Sequence, residues 1–135
     1  MFIPRKTKFK KLQTKAISGI QSNLKKHTGG RFGIIAQTNA MLNAKTIEAV
    51  RRIFTKKFKR SGKVRVNMHC NQSITKKPLE SRMGKGKGSF SHWVCRIRKG
   101  QVLYSLDGIN NYLAKEAFLL ASSKLGIKTK LSRTP

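Results

Sequence analysis

Apolar residues recur along this chain in two rhythms, and the rhythms lay out most of its elements. After Asn43, the residues Ile47, Val50, Ile53, Phe54 and Phe58 follow one another at spacings of three and four. That period puts them on one face of a helix. Asn43 is a residue type that caps a helix start, and Ser61-Gly62 is expected to end it. The next segment, Lys63-Val-Arg-Val-Asn-Met-His69, alternates strictly. Val64, Val66 and Met68 face one way and Arg65, Asn67 and His69 the other, the pattern of a half-buried strand.

Arg31–Gln37 reads as a first strand, and His92–Arg98 and Gln101–Asp107 as two more whose apolar residues fall on one face. Trp93, Cys95 and Ile97 share one face of the second; Val102, Tyr104 and Leu106 share one face of the third. Only Lys99-Gly100 separates those two strands, which predicts a tight hairpin. Asn110 or Asn111 caps a second helix from about Tyr112 to Leu125. Its apolar stripe is Leu113, Ala117, Leu120 and Ala121, widened by Ala114, Phe118 and Leu125, and Gly126 is the stop. A last strand, Ile127–Leu131, follows. Helices and hairpin-linked strands in one chain predict a single small α+β domain over residues 31–131. Residues 132–135 form a short tail. No internal repeat is present.

Two stretches carry neither rhythm. Residues 1–30 hold many cations and read as a basic N-terminal arm, without fixed structure until bound. Residues 71–91 are polar and glycine-rich and read as one long loop. Connections that long are usually functional.

Charge changes the picture. The chain has 31 Lys+Arg against 4 Asp+Glu, a formal net charge of +27. A compact domain so unbalanced repels itself, and a polyanion relieves the repulsion, so nucleic acid is the expected partner. Hydrophobic residues are 38% of the chain, enough for a small core. No apolar run reaches membrane-spanning length. The N-terminal stretch lacks the apolar segment of a secretory signal. Two cysteines, Cys70 and Cys95, suggest a reducing compartment rather than a disulfide framework.

Candidate nucleic-acid contacts, to RNA or DNA, follow from charge and spacing. In the arm they are Arg5, Lys6, Lys8, Lys10 and Lys11. On the first helix they are Arg51, Arg52, Lys56, Lys59 and Arg60, because Glu48 is the only acid there to balance them. The third set is the run Arg82-Met83-Gly84-Lys85-Gly86-Lys87-Gly88. Glycine permits close backbone approach, and both N–H and ammonium groups suit phosphate oxygens. Ser89 spoils the spacing of a nucleotide-binding loop, which needs Gly, four residues, then Gly-Lys-Ser/Thr. Among the aromatics, Phe32 belongs in the core and Phe90 is a candidate for stacking on a base.

Catalysis and metal binding find little support. The four acids, Glu48, Glu80, Asp107 and Glu116, form no evident carboxylate pair. His69-Cys70 with His92 and Cys95 lacks the Cys-x-x-Cys spacing of structural zinc. The expectation is no catalytic residue, no metal and no cofactor. Two other classes compete: a nuclease or RNA-modifying enzyme using Glu80 or His92, and a cationic membrane-surface protein. The first lacks a convergent site; the second lacks a free-standing amphipathic helix.

In their order and spacing, several segments resemble the bacterial-type large-subunit ribosomal protein L-sixteen family. They are Pro4–Phe9, Ile47-Glu-Ala-Val-Arg-Arg52, Arg60-Ser-Gly-Lys63, Ile74–Gly88, Trp93-Val94, Gly100–Tyr104, Asp107-Gly108, Ala114–Phe118 and Lys124–Thr129. The resemblance implies an α+β fold of the hammerhead type. It implies a structural, non-enzymatic constituent of the large ribosomal subunit that binds large-subunit rRNA and organises the aminoacyl-tRNA (A) site near the peptidyl-transferase centre. The loop Arg82–Gly88 would reach toward that centre and the acceptor arm of A-site tRNA, and Pro4–Phe9 would thread rRNA. Arg82 matches an arginine hydroxylated in some members. Further implied partners are neighbouring ribosomal proteins; no membrane and no second copy of the chain is expected.

The chain departs from the family pattern in two places. Thr38-Asn-Ala-Met-Leu-Asn43 stands where a Gly-Arg-Gly-Arg-Leu-Thr run is common, which puts an rRNA contact there in doubt. Arg65 and Cys70 stand where tryptophan and proline are usual. Lysine far outnumbers arginine, and Asn and Ile are frequent. With no long targeting extension, that usage suggests an organelle-encoded protein of the mitochondrial ribosome, with bacterial cytoplasm or plastid as alternatives.

Overall fold

The computed structural model describes residues 2–21 and 30–133. Residues 22–29, which include His27 and Gly29 of the expected arm, lie outside the described residues, as do Met1 and the last two of the tail.

The elements run β1 (Phe32–Ala36), β2 (Ala40–Asn43), α1 (Ala44–Phe58), β3 (Lys63–Val66), β4 (Gln72–Lys76), β5 (Ser89–Ile97), β6 (Val102–Asp107), α2 (Asn111–Leu125) and β7 (Thr129–Arg133). They form two antiparallel sheets, one of four strands in the order β3-β6-β1-β7 and one of three in the order β2-β5-β4. The fold is α+β, as the mixed rhythms require.

α1 begins where the sequence places it. The Asn43 side-chain carbonyl accepts from the Lys45 backbone N–H at 3.2 Å. Ile47, Val50, Phe54 and Phe58 are buried and Ile53 is half-buried, so the apolar stripe faces the core. The helix ends earlier than Ser61-Gly62. Lys59 and Arg60 turn left-handed, with φ of 45° and 70°, and the Ser61 N–H returns to the Phe58 carbonyl at 2.8 Å. Gly62 serves close packing instead: a Cβ there would stand 2.4 Å from Ile109 Cγ2.

α2 buries Ala114, Ala117, Ala121 and Leu125 and stops at left-handed Gly126, φ 66°. Leu120, expected in the stripe, is 48% exposed. Alanines form the buried line of α2 and bring it close to α1, while the larger Leu120 falls to the side.

Two further expectations are corrected. β5 and β6 are not a hairpin. Left-handed Gly100 turns the chain, but β5 pairs with β2 and β4 while β6 pairs with β1 and β3. The corner is held by β1: the Gly100 N–H donates to the Ala36 carbonyl at 2.7 Å, and Ala36 N–H to the Gln101 carbonyl at 3.0 Å. Second, residues 71–91 are not one loop. Gln72–Lys76 and Ser89–Phe90 pair within the three-stranded sheet, leaving residues 77–88 as the connection. The Thr38–Asn43 stretch, for which the apolar pattern predicts no element, contains strand β2.

β6 is the central beam. Leu103, Tyr104, Ser105 and Leu106 are all fully buried, so both faces of the strand are covered. Tyr104 joins the four-stranded sheet to α1. Its ring meets Phe54 edge-on at 5.3 Å, and its hydroxyl donates to the Ile47 carbonyl of α1 at 2.9 Å. Burial raises the pKa of that hydroxyl above the ordinary phenol value. Tyr104→Phe keeps the ring packing and removes one buried hydrogen bond, while Ile47's carbonyl keeps its helical donor. The expected loss is about 1 kcal/mol, read as a lower urea midpoint at unchanged m-value. An unchanged midpoint would show that the bond contributes nothing.

Candidate nucleic-acid interface

The described part of the arm, residues 2–21, lies along the domain. At its start Phe2 packs against the core, and its carbonyl accepts from Cys70 N–H at 2.8 Å. Further on, Arg96 donates to the carbonyls of Lys15 and Ala16 at 3.0 and 2.9 Å, and Asn39 to that of Ile17 at 3.3 Å. Gln21 N–H donates to the Lys99 carbonyl at 2.9 Å. Between these anchors Arg5, Lys6, Lys8, Lys10 and Lys11 are all exposed. Phe9 is 66% exposed, with the Lys8 ammonium 5.6 Å from its ring centroid.

The loop is held at its base and open at its tip. Lys77 donates to the Gly84 carbonyl across the neck. Gly84, Lys85 and Gly86 are consecutive left-handed residues, φ 93°, 53° and 81°. Nothing packs within 4 Å of where a Cβ of Gly84 or Gly86 would sit. Gly88 instead lies against the Lys76 backbone, where a Cβ would come within 2.7 Å. Arg82 and Lys85 are exposed, and Met83 is 99% exposed.

Arm and loop meet. Lys87 donates to the Leu12 carbonyl at 2.6 Å, and Lys11 donates back to the Lys87 carbonyl at 3.3 Å. Lys87 therefore braces the loop against the arm, whereas Lys85 stands clear.

The cations expected to form one face of α1 divide into two groups. Arg51 and Arg52 line a cavity of about 750 Å³ with Lys45, Glu48, Phe2 and Ile3, beside the start of the arm. Arg51 is spent internally. It grips Glu48 with two bonds, at 2.9 and 2.7 Å, and Arg52 reaches the same carboxylate at 3.3 Å. Arg52 stays 76% exposed. Lys56 and Lys59 border α2 instead. Arg60 is exposed on the left-handed turn. Sequence reading missed the capture of Arg51. Its signal was the i,i+3 and i,i+4 spacing of Glu48 to Arg51 and Arg52.

Phe32 is buried, as expected. Phe90 is 37% exposed and leans on Trp93 at 5.1 Å. The two cysteines are free and buried; burial pushes the Cys70 thiol up to about 11 and raises that of Cys95. No cluster of three or more His, Cys, Asp or Glu that could hold a metal occurs among the described residues. Among them no helix is long and apolar enough to cross a membrane.

Exposed cations on an arm, a glycine loop and one end of a helix are an architecture for gripping phosphate. Residues 4–132 match the family described as ribosomal protein L16p/L10e. The chain belongs to that family. The L16p/L10e match spans the arm, the loop and both helices, so every candidate segment falls inside it. The chain is 46% identical over 130 residues to a large ribosomal subunit protein uL16m of Prototheca wickerhamii, covering 96% of each. It is 43% identical over 129 residues to a uL16 of Aeromonas hydrophila, covering 96% of this chain and 94% of the relative. A uL16 of Psychrobacter arcticus is 43% identical over 131 residues, with 97% and 96% covered. L16p/L10e members are structural ribosomal proteins, and this chain is not an enzyme.

Hydrogen bonds from Arg51 hold the Glu48 carboxyl down to about 2, against an ordinary 4.5, with Arg52 assisting and partial burial opposing. A depressed carboxylate contributes stability above its unfolded value and loses it as pH falls through the folded one. The partly solvated cluster is worth roughly 1 kcal/mol. The stability gap between the native protein and Glu48→Gln should therefore be constant above about pH 5 and close between about 4.5 and 2. Denaturant titrations across that range read it directly, and a pH-independent gap would rule the cluster out.

Proposed function

We propose that the protein is a structural constituent of the large ribosomal subunit that binds large-subunit rRNA and helps organise the A site beside the peptidyl-transferase centre. Arm residues Arg5, Lys6, Lys8, Lys10 and Lys11 grip rRNA phosphates, joined by Arg52 and Arg60. The loop Arg82–Gly88 supports the acceptor arm of the incoming tRNA. The ribosomal RNA does the bond-making, and the protein contributes shape and countercharge.

The observation that carries this reading is the open tip of the loop. Three left-handed residues in a row present Met83 and Lys85 to solvent, on a neck braced by Lys77 and Lys87. Such a finger is suited to reach into a crevice too narrow for side chains on a regular strand. Lysine-rich usage and a mitochondrial relative support a mitochondrial ribosome as the location, over bacterial cytoplasm or plastid. Co-sedimentation with mitochondrial large subunits is the expected result; recovery only elsewhere would refute it.

Lys85 and Lys87 separate the two roles. Lys85→Ala should leave subunit assembly intact and weaken A-site tRNA binding about fivefold, the upper value of one solvent-exposed ion contact, about 1 kcal/mol. Its binding should also lose roughly 0.7–0.9 from the slope of log K against log salt. Lys87→Ala should instead loosen the arm, read as faster proteolysis near Leu12. Equal loss of assembly and tRNA binding in Lys85→Ala would make the loop an rRNA anchor.

A further inference from the structure

α1 and α2 pack side by side, and a groove of about 650 Å³ runs between their outer surfaces. Half-buried Ile53 and Leu113 and exposed Leu120 supply its apolar lining; Lys56, Lys57, Lys59 and Lys124 stand along it. Glu116 pairs with Lys57 inside the groove. Lys56, Lys59 and Lys124 make no ion pair among the described residues. Beyond the groove, Leu119 is 68% and Tyr112 76% exposed, with exposed Lys115 between them on the outer face of α2.

The α2 side of this surface does not suit RNA. Across its length α2 carries only Lys115, Glu116 and Lys124 as charged residues, in a chain of 31 cations. Leucine side chains give a phosphate backbone neither charge nor hydrogen bonds. A second copy of the chain is opposed by its own +27 charge. What fits is an apolar ridge flanked by carboxylates.

We propose that the groove between α1 and α2 docks an acidic amphipathic helix of another protein, its apolar side chains against Ile53, Leu113 and Leu120 and its carboxylates against Lys56, Lys59 and Lys124. Helix-in-groove recognition uses this combination of a hydrophobic slot and a charged border. The groove's volume is that of sites admitting a few side chains. Lys56 and Lys59 then serve a protein partner, not rRNA, and the chain has two separate faces for two kinds of macromolecule.

The test titrates the full-length, isotope-labelled protein with a designed helical peptide that carries leucines on one face and glutamates beside them. A second peptide keeps the glutamates and replaces the leucines with serine, because any polyanion will bind a +27 protein to some degree. The leucine peptide should bind about tenfold more tightly and shift amide resonances at Ile53, Leu113 and Leu120. Leu120→Glu, at an exposed position that leaves the core untouched, should remove that tenfold advantage. Lys59→Glu with Lys124→Glu should weaken the leucine peptide by a similar factor, and melting curves of each variant confirm the fold. Equal binding of the two peptides, or indifference to Leu120→Glu, overturns the proposal. In assembled particles, a photoreactive side chain at position 120 should crosslink to an acidic, leucine-bearing protein segment. Crosslinks to RNA alone would overturn the proposal in favour of an RNA contact.

Discussion

Mutual repulsion among 31 basic side chains opposes the compact state of this chain. Four acids cannot offset it, and the ion pairs among the described residues use only Glu48 and Glu116. Cohesion therefore rests on apolar burial. Phe54 stacks on Phe58 at 5.9 Å and meets Tyr104 edge-on, and Tyr104 ties the central strand to the first helix. The core needs no charges, and the surface is left free to carry them. Binding a polyanion removes the opposing term, so folding and RNA binding favour each other.

Scarcity of carboxylates also explains how the arm is fastened. Lys11, Lys77, Lys87 and Arg96 all end on backbone carbonyls. A carboxylate would hold a cation more strongly but cancel its charge. A carbonyl gives it a position and leaves the charge intact for phosphate. Glu48 shows the contrast: Arg51 is held tightly there, and its charge is answered inside the protein.

Much of the fold was readable because its signals are local. The Asn43 cap, the Ile47–Phe58 stripe, the alternation through Val64 and Val66 and the Gly126 stop each depend on a few neighbouring residues. β2 and β4 were not readable, because their partner decides them. Ala40–Asn43 is four residues long and Gln72–Lys76 is mostly polar, and both become strands by pairing with β5. Ser73 is buried there with no partner for its hydroxyl, which no alternation rule anticipates. The crossing from β5 to β6 was misread as a hairpin because Lys99-Gly100 specifies a turn, not the strand that receives it. Of the candidate site, residue types were legible and their engagement was not. Nothing near Lys87 in sequence indicates that its ammonium rests on the Leu12 carbonyl, across a separation of 75 residues.

The loop shows how these constraints combine. A left-handed lysine is disfavoured by roughly 1–2 kcal/mol relative to ordinary backbone, and no packing at the Lys85 tip repays that cost. The conformation is imposed from the flanks: glycine on either side accepts the turn, Lys77 closes the neck and Lys87 leans on the arm. A brace at the base leaves the tip exposed to solvent. A flexible finger would lose conformational entropy when it met its target, and this one has already lost part of it in folding. By accepting Lys87 the arm joins the brace at the base of the loop.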